Sequence, residues 1–458
     1  MRYPIIRVMK LENCQQQKYF LSTFGCQMNV HDSEKTAGIL EKIGYSKAAT
    51  VEEADLILLN TCCVRENAEN RLYGHLGNLK PLKTKNPELI IGVGGCMAQL
   101  PSVREKIAES YPYVDFLFGA YNLHRLPELI AKIKETGSRI LQLSQEEEIV
   151  EDLPVVREDP YRAWVTVIYG CNNFCSYCIV PYVRGREKSR RPEKIIAEIQ
   201  GLASKGVKEI TLLGQNVNSY GLDFPEDERM DFADLLAAAN RIKGITRIRF
   251  QTSHPKDLSD KLIIQMMAAE HVCEHLHLPV QAGSNKILAA MNRKYTREYY
   301  LNLVEKLRAK IPNIALTTDL IVGFPGEEED DFQDTLNLVK EVEFDAAFTF
   351  AYSPRVGTKA AEMKTQVPEE VKMDRLYRLI EVVNQQAKAA NQRLEGSSET
   401  ILVEGPSAKK QEIFAGRTCS NKLVLFPPKR PSVELVGKEI KVQIEKGLTY
   451  TLRGKEID

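Results

Sequence analysis

The 458-residue chain has no net charge, because 62 lysines and arginines balance 62 aspartates and glutamates. Bulk charge therefore points to no polyanionic partner, and a nucleic-acid role has to come from local patches. No apolar run is long enough to cross a bilayer, so no membrane role is expected. No secretory h-region follows Met1-Arg2-Tyr3-Pro4, and the ten cysteines are unevenly spaced. Both features are expected of a reducing, cytoplasmic compartment rather than a disulfide framework. The single C-x-x-C also lacks a second such pair, or close histidines, with which to complete a zinc site.

What is present is a run of three cysteines, Cys171, Cys175 and Cys178, in Tyr169-Gly170-Cys171-Asn172-Asn173-Phe174-Cys175-Ser176-Tyr177-Cys178. Three thiolates on one short loop suit three corners of a cubane iron-sulfur cluster and leave the fourth iron open for chemistry. The plainer readings are a structural zinc or ordinary buried thiols. A basic run follows, Val183-Arg184-Gly185-Arg186-Glu187-Lys188-Ser189-Arg190-Arg191-Pro192. It suits a solvated approach to a helix as well as it suits steering of a phosphate-bearing substrate.

The length predicts about three domains. Residues 18–137 alternate strand-like and helical stretches, the pattern of an open parallel α/β domain. Strands are predicted at Tyr19–Phe24, Leu56–Asn60 and Leu89–Val93, and a cysteine follows each: Cys26, Cys62 and Cys96. The spacings of 36 and 34 residues are each about one βα repeat, which places all three at one carboxyl edge, where open α/β sheets build their sites. Any one of them alone would read as a buried cysteine, but three in register predict a second three-cysteine cluster site. Cys63 points elsewhere in an extended chain, and Cys14, Cys273 and Cys419 read as structural.

Residues 138–160, with Glu146-Glu147-Glu148, Pro154 and Pro160, read as an exposed linker. Residues 161–391 repeat strand then helix six times, which suits a partial (β/α)6 barrel with its site at the carboxyl ends of the strands. His275 and His277 alternate on one of those strands and line the site or support it. Residues 392–458 change to short alternating runs with strands expected at Thr400–Val403, Glu412–Ala415, Lys422–Phe426, Glu439–Ile444 and Leu448–Leu452. These predict a small antiparallel β-barrel, either a structural cap or an RNA-contacting module using Lys409-Lys410, Arg417, Lys422 and Lys429-Arg430.

With these residues in place, the chain resembles the radical S-adenosylmethionine (SAM) methylthiotransferases, and within them the MiaB-type tRNA enzymes. The resemblance rests on Gly25-Cys26-Gln27-Met28-Asn29 with Asp32-Ser33-Glu34, on Asn60-Thr61-Cys62-Cys63-Val64-Arg65-Glu66-Asn67-Ala68-Glu69, and on Gly94-Gly95-Cys96-Met97-Ala98-Gln99. It continues through Gly170-Cys171 to Cys178-Ile179-Val180-Pro181, and through His275-Leu276-His277-Leu278-Pro279-Val280-Gln281-Ala282-Gly283-Ser284. The last domain resembles a TRAM domain, an RNA-binding module.

The resemblance implies two 4Fe-4S clusters. One, on Cys171, Cys175 and Cys178, would bind SAM; an auxiliary one, on Cys26, Cys62 and Cys96, would carry and deliver the sulfur. Tyr177 would lie near the adenine of SAM, and Gln215 and Asn216, in Gly214-Gln215-Asn216 where many relatives carry Gly-Gly-Glu, near its amino group. Ser253, in Thr252-Ser253-His254, and Asp319, in Thr318-Asp319, would meet ribose and methionine, or else cap their loops. Arg184, Arg186, Lys188, Arg190, Arg191 and Lys422 are the candidate RNA contacts. The implied reaction is radical methylthiolation of carbon 2 of isopentenyladenosine at position 37, in a tRNA anticodon loop whose unpaired bases splay out readily. It needs an electron donor and a sulfur source that the sequence does not name. The alternatives are methylthiolation of threonylcarbamoyl-adenosine or of a ribosomal-protein aspartate, and a non-enzymatic iron-sulfur protein that binds RNA or transfers electrons.

Overall fold

The computed structural model describes residues 16–63, 66–143, 149–429 and 433–457. Cys14, Val64-Arg65, Glu146-Glu147-Glu148 and Arg430 lie outside the described residues. The chain divides between Val156 and Arg157 into two compact units.

In the first unit, strands β1 (Lys18–Thr23), β2 (Ser46–Lys47), β3 (Leu56–Thr61), β4 (Ile90–Gly95) and β5 (Phe116–Phe118) form one parallel sheet, ordered β2-β1-β3-β4-β5. Helices α1 (Gln27–Lys42), α2 (Glu66–Lys85) and α3 (Pro101–Ser110) lie between them in the chain, and α4 (Leu126–Thr136) follows β5. Every residue of β3 and β4 is buried, and a parallel strand covered on both faces reads as an unbroken apolar run. Leu56 and Leu58 pack with Leu40, Phe116 and Leu126 on one face, while Ile57 and Leu59 pack with Leu72, Leu76 and Ile107 on the other. The strand order reverses between β1 and β3, so the ligand crevice of such a sheet opens at the carboxyl ends of these two strands.

The exposed linker expected over 138–160 is in part a strap on this sheet. Ile140 bridges to Phe116, and Val156 N–H donates to Glu34 O at 3.0 Å. Leu153 and Val156 pack against the core beside α1, because burying their apolar side chains is worth more than solvating the segment.

The second unit begins with β6 (Arg162–Thr166), β7 (Ile168–Tyr169), β8 (Lys188–Ser189), β9 (Glu209–Leu213), β10 (Arg247–Phe250), β11 (His275–His277), β12 (Ala315–Val322) and β13 (Ala346–Ala351). Its helices are α5 (Val180–Val183), α6 (Pro192–Ser204), α7 (Phe232–Asn240), α8 (Asp260–Ala268), α9 (Asn285–Ala290), α10 (Arg297–Lys310), α11 (Glu329–Val342) and α12 (Glu369–Gln392). Parallel pairing runs β6-β9-β10 and β11-β12-β13, and a bridge from Ile248 to Val272 joins the two triplets. The result is the open six-unit barrel; among the described residues no pairing joins β6 to β13. Alternate residues divide between two faces. Ile210, Leu212, Ile248, Phe250, Leu276, Leu316 and Leu320 enter the helix-covered core, leaving Glu209, Arg247, Arg249, His275, His277, Thr317 and Asp319 on the inner face.

Strands β14 (Ser398–Ser407), β15 (Lys410–Thr418), β16 (Leu423–Phe426), β17 (Glu439–Gly447) and β18 (Leu452–Glu456) close a small barrel around Ile401, Phe414, Val424, Phe426 and Val442. Two details differ from expectation. The β16–β18 pair is parallel, and the last strand starts at Leu452 because Leu448 N–H donates to Thr451 O in a turn at 2.8 Å.

This small barrel closes the amino-terminal end of the open one. Arg247, the first residue of β10, donates to Glu439 Oε1 at 2.6 Å and to Arg417 O at 2.5 Å. Arg249 pairs with Glu209 Oε2 at 3.0 Å and donates to Thr418 O at 2.7 Å and Cys419 O at 2.9 Å. Arg162, the first residue of β6, pairs with Glu404. Lys422 is corrected from a candidate RNA contact to a strut: its ammonium donates to Asp345 Oδ1 at 2.7 Å and Asn391 Oδ1 at 3.0 Å, which takes up the charge a phosphate would need.

Candidate functional site

In the first unit Cys26 caps α1 just past β1, Cys62 follows β3 and Cys96 follows β4, on three strands that are neighbours in the sheet. Cys26 is partly exposed, whereas Cys62 and Cys96 are buried. Two buried asparagines tie the first two loops together: Asn29 Nδ2 donates to Asn60 Oδ1 and to Thr61 O, both at 3.1 Å, and Asn60 Nδ2 donates to Asn29 O at 2.8 Å. The Cys26 thiol donates to Asn29 Oδ1 at 3.3 Å. Gly25 has φ +137°, and a Cβ there would lie 2.4 Å from Cys62 Cβ, so glycine is what lets the Cys26 loop approach Cys62. Thr61 Oγ1 donates to Gly94 O at 2.9 Å and fixes the end of β3 against the strand that leads to Cys96.

In the second unit the antiparallel β7–β8 pair closes the base of the Cys171–Cys178 loop. Gly170, with φ +71°, packs against Arg186 O so closely that a Cβ would lie 2.0 Å from it. Cys171 N–H donates to Gly185 O at 3.2 Å, and Asn172 N–H to Glu187 Oε1 at 3.1 Å. The other side of the loop is pinned by residues that sequence reasoning missed. Ser176 Oγ donates to Ala290 O at 2.7 Å, and Asn292 Nδ2 donates to Phe174 O at 2.9 Å. The buried Arg293 donates through Nη1 to Cys175 Sγ and to Tyr177 OH, both at 3.4 Å, and through Nη2 to Pro279 O at 2.7 Å. Phe174 and Asn292 both take positive φ, 47° and 59°, the kind of backbone strain that collects at functional sites.

Burial pushes the Cys171 thiol up to about 11 and the Cys178 thiol up to about 12, and the neighbouring Cys175 adds to both. Cys171 and Cys178 thus resist ionising without a cation, and a bound metal centre would supply the missing charge. Among the described residues no three Cys, His, Asp or Glu side chains close on a single-ion position. A cubane spreads its thiolate ligands over several irons, so the donor set and its loop fit a cluster.

At the same carboxyl edge lie buried polar atoms without partners among the described residues: Gln215 Oε1, Asn216 Oδ1, both amide atoms of Asn218, Ser253 Oγ and His254 Nε2. Val217 N–H donates to Thr252 O at 2.9 Å and joins the two loops that carry them. Burial, with Arg293 and Lys256 nearby, drives His254 down to about 2, so its ring is neutral. His254 Nδ1 accepts from Lys256 N–H at 3.3 Å, which leaves the proton on Nε2 as a donor. Carbonyl acceptors beside hydroxyl and imidazole donors suit a ligand with an amino group, a carboxylate and ribose hydroxyls. Asp319 stands on the inner face of β12, with its Oδ1 3.5 Å from His277 Nε2.

The basic run is split by burial. Arg184 is buried, and the buried Arg190 donates to Thr166 O at 2.7 Å and Glu198 Oε2 at 2.8 Å, so the expected RNA contact does not suit either of them. Arg186 is exposed and stacks over Phe174 at 4.3 Å, Lys188 is partly exposed on β8, and the exposed Arg191 pairs with Glu228 at 2.9 Å.

Residues 165–339 match the Radical SAM superfamily, residues 18–119 the Uncharacterized protein family UPF0004, and residues 392–457 the TRAM domain. A tRNA-2-methylthio-N(6)-dimethylallyladenosine synthase from Carboxydothermus hydrogenoformans is 54% identical over 440 residues, 96% of this chain and 99% of that protein. One of the same name from Clostridium novyi is 53% identical over 447 residues, 97% and 98% of the two chains. The chain belongs to this tRNA-2-methylthio-N(6)-dimethylallyladenosine synthase family. Solved structures extend the likeness of fold beyond the synthase family. The radical SAM methyltransferase TsrM from Kitasatospora setae aligns with a TM-score of 0.56 at 14% identity, over 76% of this chain and 77% of that one. The cobalamin-dependent SAM radical enzyme OxsB aligns at 0.53 and 14% identity, over 81% and 56%. As a radical SAM enzyme the synthase uses SAM and a 4Fe-4S cluster.

Proposed function

We propose that this synthase methylthiolates carbon 2 of dimethylallyladenosine at position 37 of tRNA, holding its SAM-binding cluster on Cys171, Cys175 and Cys178 and an auxiliary 4Fe-4S cluster on Cys26, Cys62 and Cys96. The observation that carries the reading is two separate three-cysteine sets, each at the carboxyl edge of a parallel sheet, in a chain 54% identical to a named synthase. An electron carrier gains nothing from two three-thiolate sites, each leaving an iron without a protein ligand. The cofactors supply one-electron chemistry, which opens an unactivated aromatic C–H bond that acid, base and nucleophile leave alone.

The chain's own residues supply position. Gln215 and Asn216 offer acceptors to the amino group of SAM, Ser253 and His254 offer donors to its oxygens, Tyr177 lies beside the adenine, and Asp319 faces the lumen where a base would enter. Ser176, Asn292 and Arg293 hold the cysteine loop rigid, and rigid placement is most of what protein contributes to cofactor chemistry. Arg186, Lys188 and Arg191 remain the candidates in the basic run to meet tRNA phosphates. No described helix is long and apolar enough to cross a membrane, and a cytoplasmic location goes with a tRNA substrate.

The test is anaerobic reconstitution with iron and sulfide, then incubation with a reductant, SAM and dimethylallylated tRNA, with nucleosides read by mass spectrometry. A methylthio product is expected. Its absence, with a ribosomal-protein peptide or a threonylcarbamoyl-adenosine tRNA modified instead, would overturn the assignment.

A further inference from the structure

Phe348 and Phe350 are 57% and 40% exposed, and among the described residues they are the large exposed apolar side chains that lie on strands. Solvent does not explain the pair. The β13 sequence Ala346-Ala347-Phe348-Thr349-Phe350-Ala351 alternates: Ala347 packs into the helix-covered core, so Phe348 and Phe350 face the other way, into the lumen. In register Phe348 stands opposite Asp319 and Phe350 opposite Ile321. The His277 ring meets Phe348 edge to face, with centroids 6.1 Å apart and planes at 75°, while His277 itself is held by Thr317 Oγ1 at 3.0 Å. Below this level the lumen is polar and shut, with Arg249, Glu209 and Arg247 bonded to one another or to the small barrel. The two rings therefore form an apolar, aromatic ledge at the open end of the lumen, beside a carboxylate and an imidazole.

On the reading given above, we infer that this ledge receives the modified base itself: Phe348 and Phe350 stack on the adenine and cover its dimethylallyl arm, and so select a prenylated base over a bare one. The ligand that fits has a flat π face, a short branched apolar arm and polar edges. SAM has no such arm, and the unpartnered polar atoms that suit it lie on the loops after β9 and β10, not on β13. A base from a single-stranded loop stacks on aromatic rings whatever its sequence, at a gain of about tenfold or more in affinity per ring, and an apolar arm adds discrimination of similar size.

The experiment measures binding of two anticodon stem-loops, one with dimethylallyladenosine and one with plain adenosine, to the cluster-loaded enzyme with SAM and no reductant. The parent is expected to prefer the prenylated loop by about tenfold. Phe348→Ala and Phe350→Ala should each weaken that preference severalfold, and the double variant should abolish it, with iron content and melting temperature as controls of fold. Phe350→Leu should keep preference for the arm while losing stacking, so its affinity for both loops falls together. Equal binding of the two loops by the parent, or an unchanged preference in the folded double variant, overturns the inference. Product analysis with full tRNA is read separately: a parent that prefers the prenylated loop but makes no methylthio product sinks the assigned reaction and leaves the ledge standing.

Discussion

Asn29 and Asn60 clasp each other at the carboxyl edge of the first sheet, each side-chain amide donating to its partner at 3.1 and 2.8 Å, and both are buried. One stands three residues after Cys26 and the other two before Cys62, so the clasp sets how far apart those two cysteines sit. Asn60→Ala takes one of its two acceptors from the Asn29 amide and the side-chain donor from Asn29 O in the interior, at a cost of about 1–3 kcal/mol. On the two-cluster proposal, the expected outcome is a folded protein that reconstitutes with about half the parent's iron, because one of the two proposed four-iron sites is lost. Iron and sulfide analysis beside the circular dichroism spectrum checks this, and full iron loading in the variant would show that the clasp does not shape the site.

Arg293 is a buried guanidinium 3.4 Å from Cys175 Sγ. A fixed positive charge beside a cluster ligand favours the reduced, more negative state of the cluster. In a background with Cys26, Cys62 and Cys96 replaced by Ala, Arg293→Gln is expected to lower the midpoint potential of the remaining cluster by on the order of 50 mV. Arg293→Lys, which keeps the charge, should recover most of the shift. A redox titration followed by electron paramagnetic resonance reads both, and equal potentials in Gln and Lys variants would assign Arg293 to packing alone.

The same Cys26, Cys62 and Cys96 replacements separate the roles of the two cysteine sets. Methylthio product is expected to disappear while reductive cleavage of SAM to 5′-deoxyadenosine continues. Chromatography of the nucleoside products measures both, and loss of SAM cleavage in a folded variant would count against separate sites.

How much of this was legible in sequence depended on distance along the chain. Cys26, Cys62 and Cys96 were readable because a βα repeat fixes where each strand ends, and Leu56 to Asn60 read as a strand because a doubly covered strand has no polar side. Asn292 and Arg293 were invisible as supports of the cysteine loop, since they lie more than a hundred residues from it and no local pattern links them. The basic run misled at Arg184 and Arg190, both buried, because charge patterning cannot tell a solvated guanidinium from one turned inward, as Arg190 is onto a carbonyl and a carboxylate. Lys422 misled in the same way, through partners from another domain.

Arg249 joins the open barrel to the small one through Glu209, Thr418 O and Cys419 O. Arg249→Ala would leave the buried Glu209 carboxylate without its cation and two carbonyls without donors, a loss of about 3–5 kcal/mol. The expected outcome is a lower melting temperature and faster proteolytic release of a fragment near residue 392. Parent-like resistance to limited proteolysis would show that the small barrel docks by other contacts.

Cys419 and Cys273 meet across the same junction, with the Cys273 thiol donating to Cys419 sulfur. That hydrogen bond, helped by the guanidinium groups of Arg247 and Arg249, brings Cys419 down to about 6 against partial desolvation, while Cys273 is held well above the ordinary thiol range. The depressed group is a thiolate at neutral pH and takes up its proton as pH falls through about 6. Since the thiolate is the nucleophile, alkylation of the exposed Cys419 by iodoacetamide should be nearly flat between about pH 7 and 8 and fall by about tenfold for each unit below 6. Cys273→Ala removes the donor, so Cys419 should move back toward the ordinary thiol range and its alkylation at pH 7 should slow by roughly tenfold. Peptide mapping by mass spectrometry after timed labelling follows Cys419 apart from the other cysteines. A rate that climbs steadily through pH 8 in the parent, unchanged by Cys273→Ala, would mean that the two thiols do not share a proton.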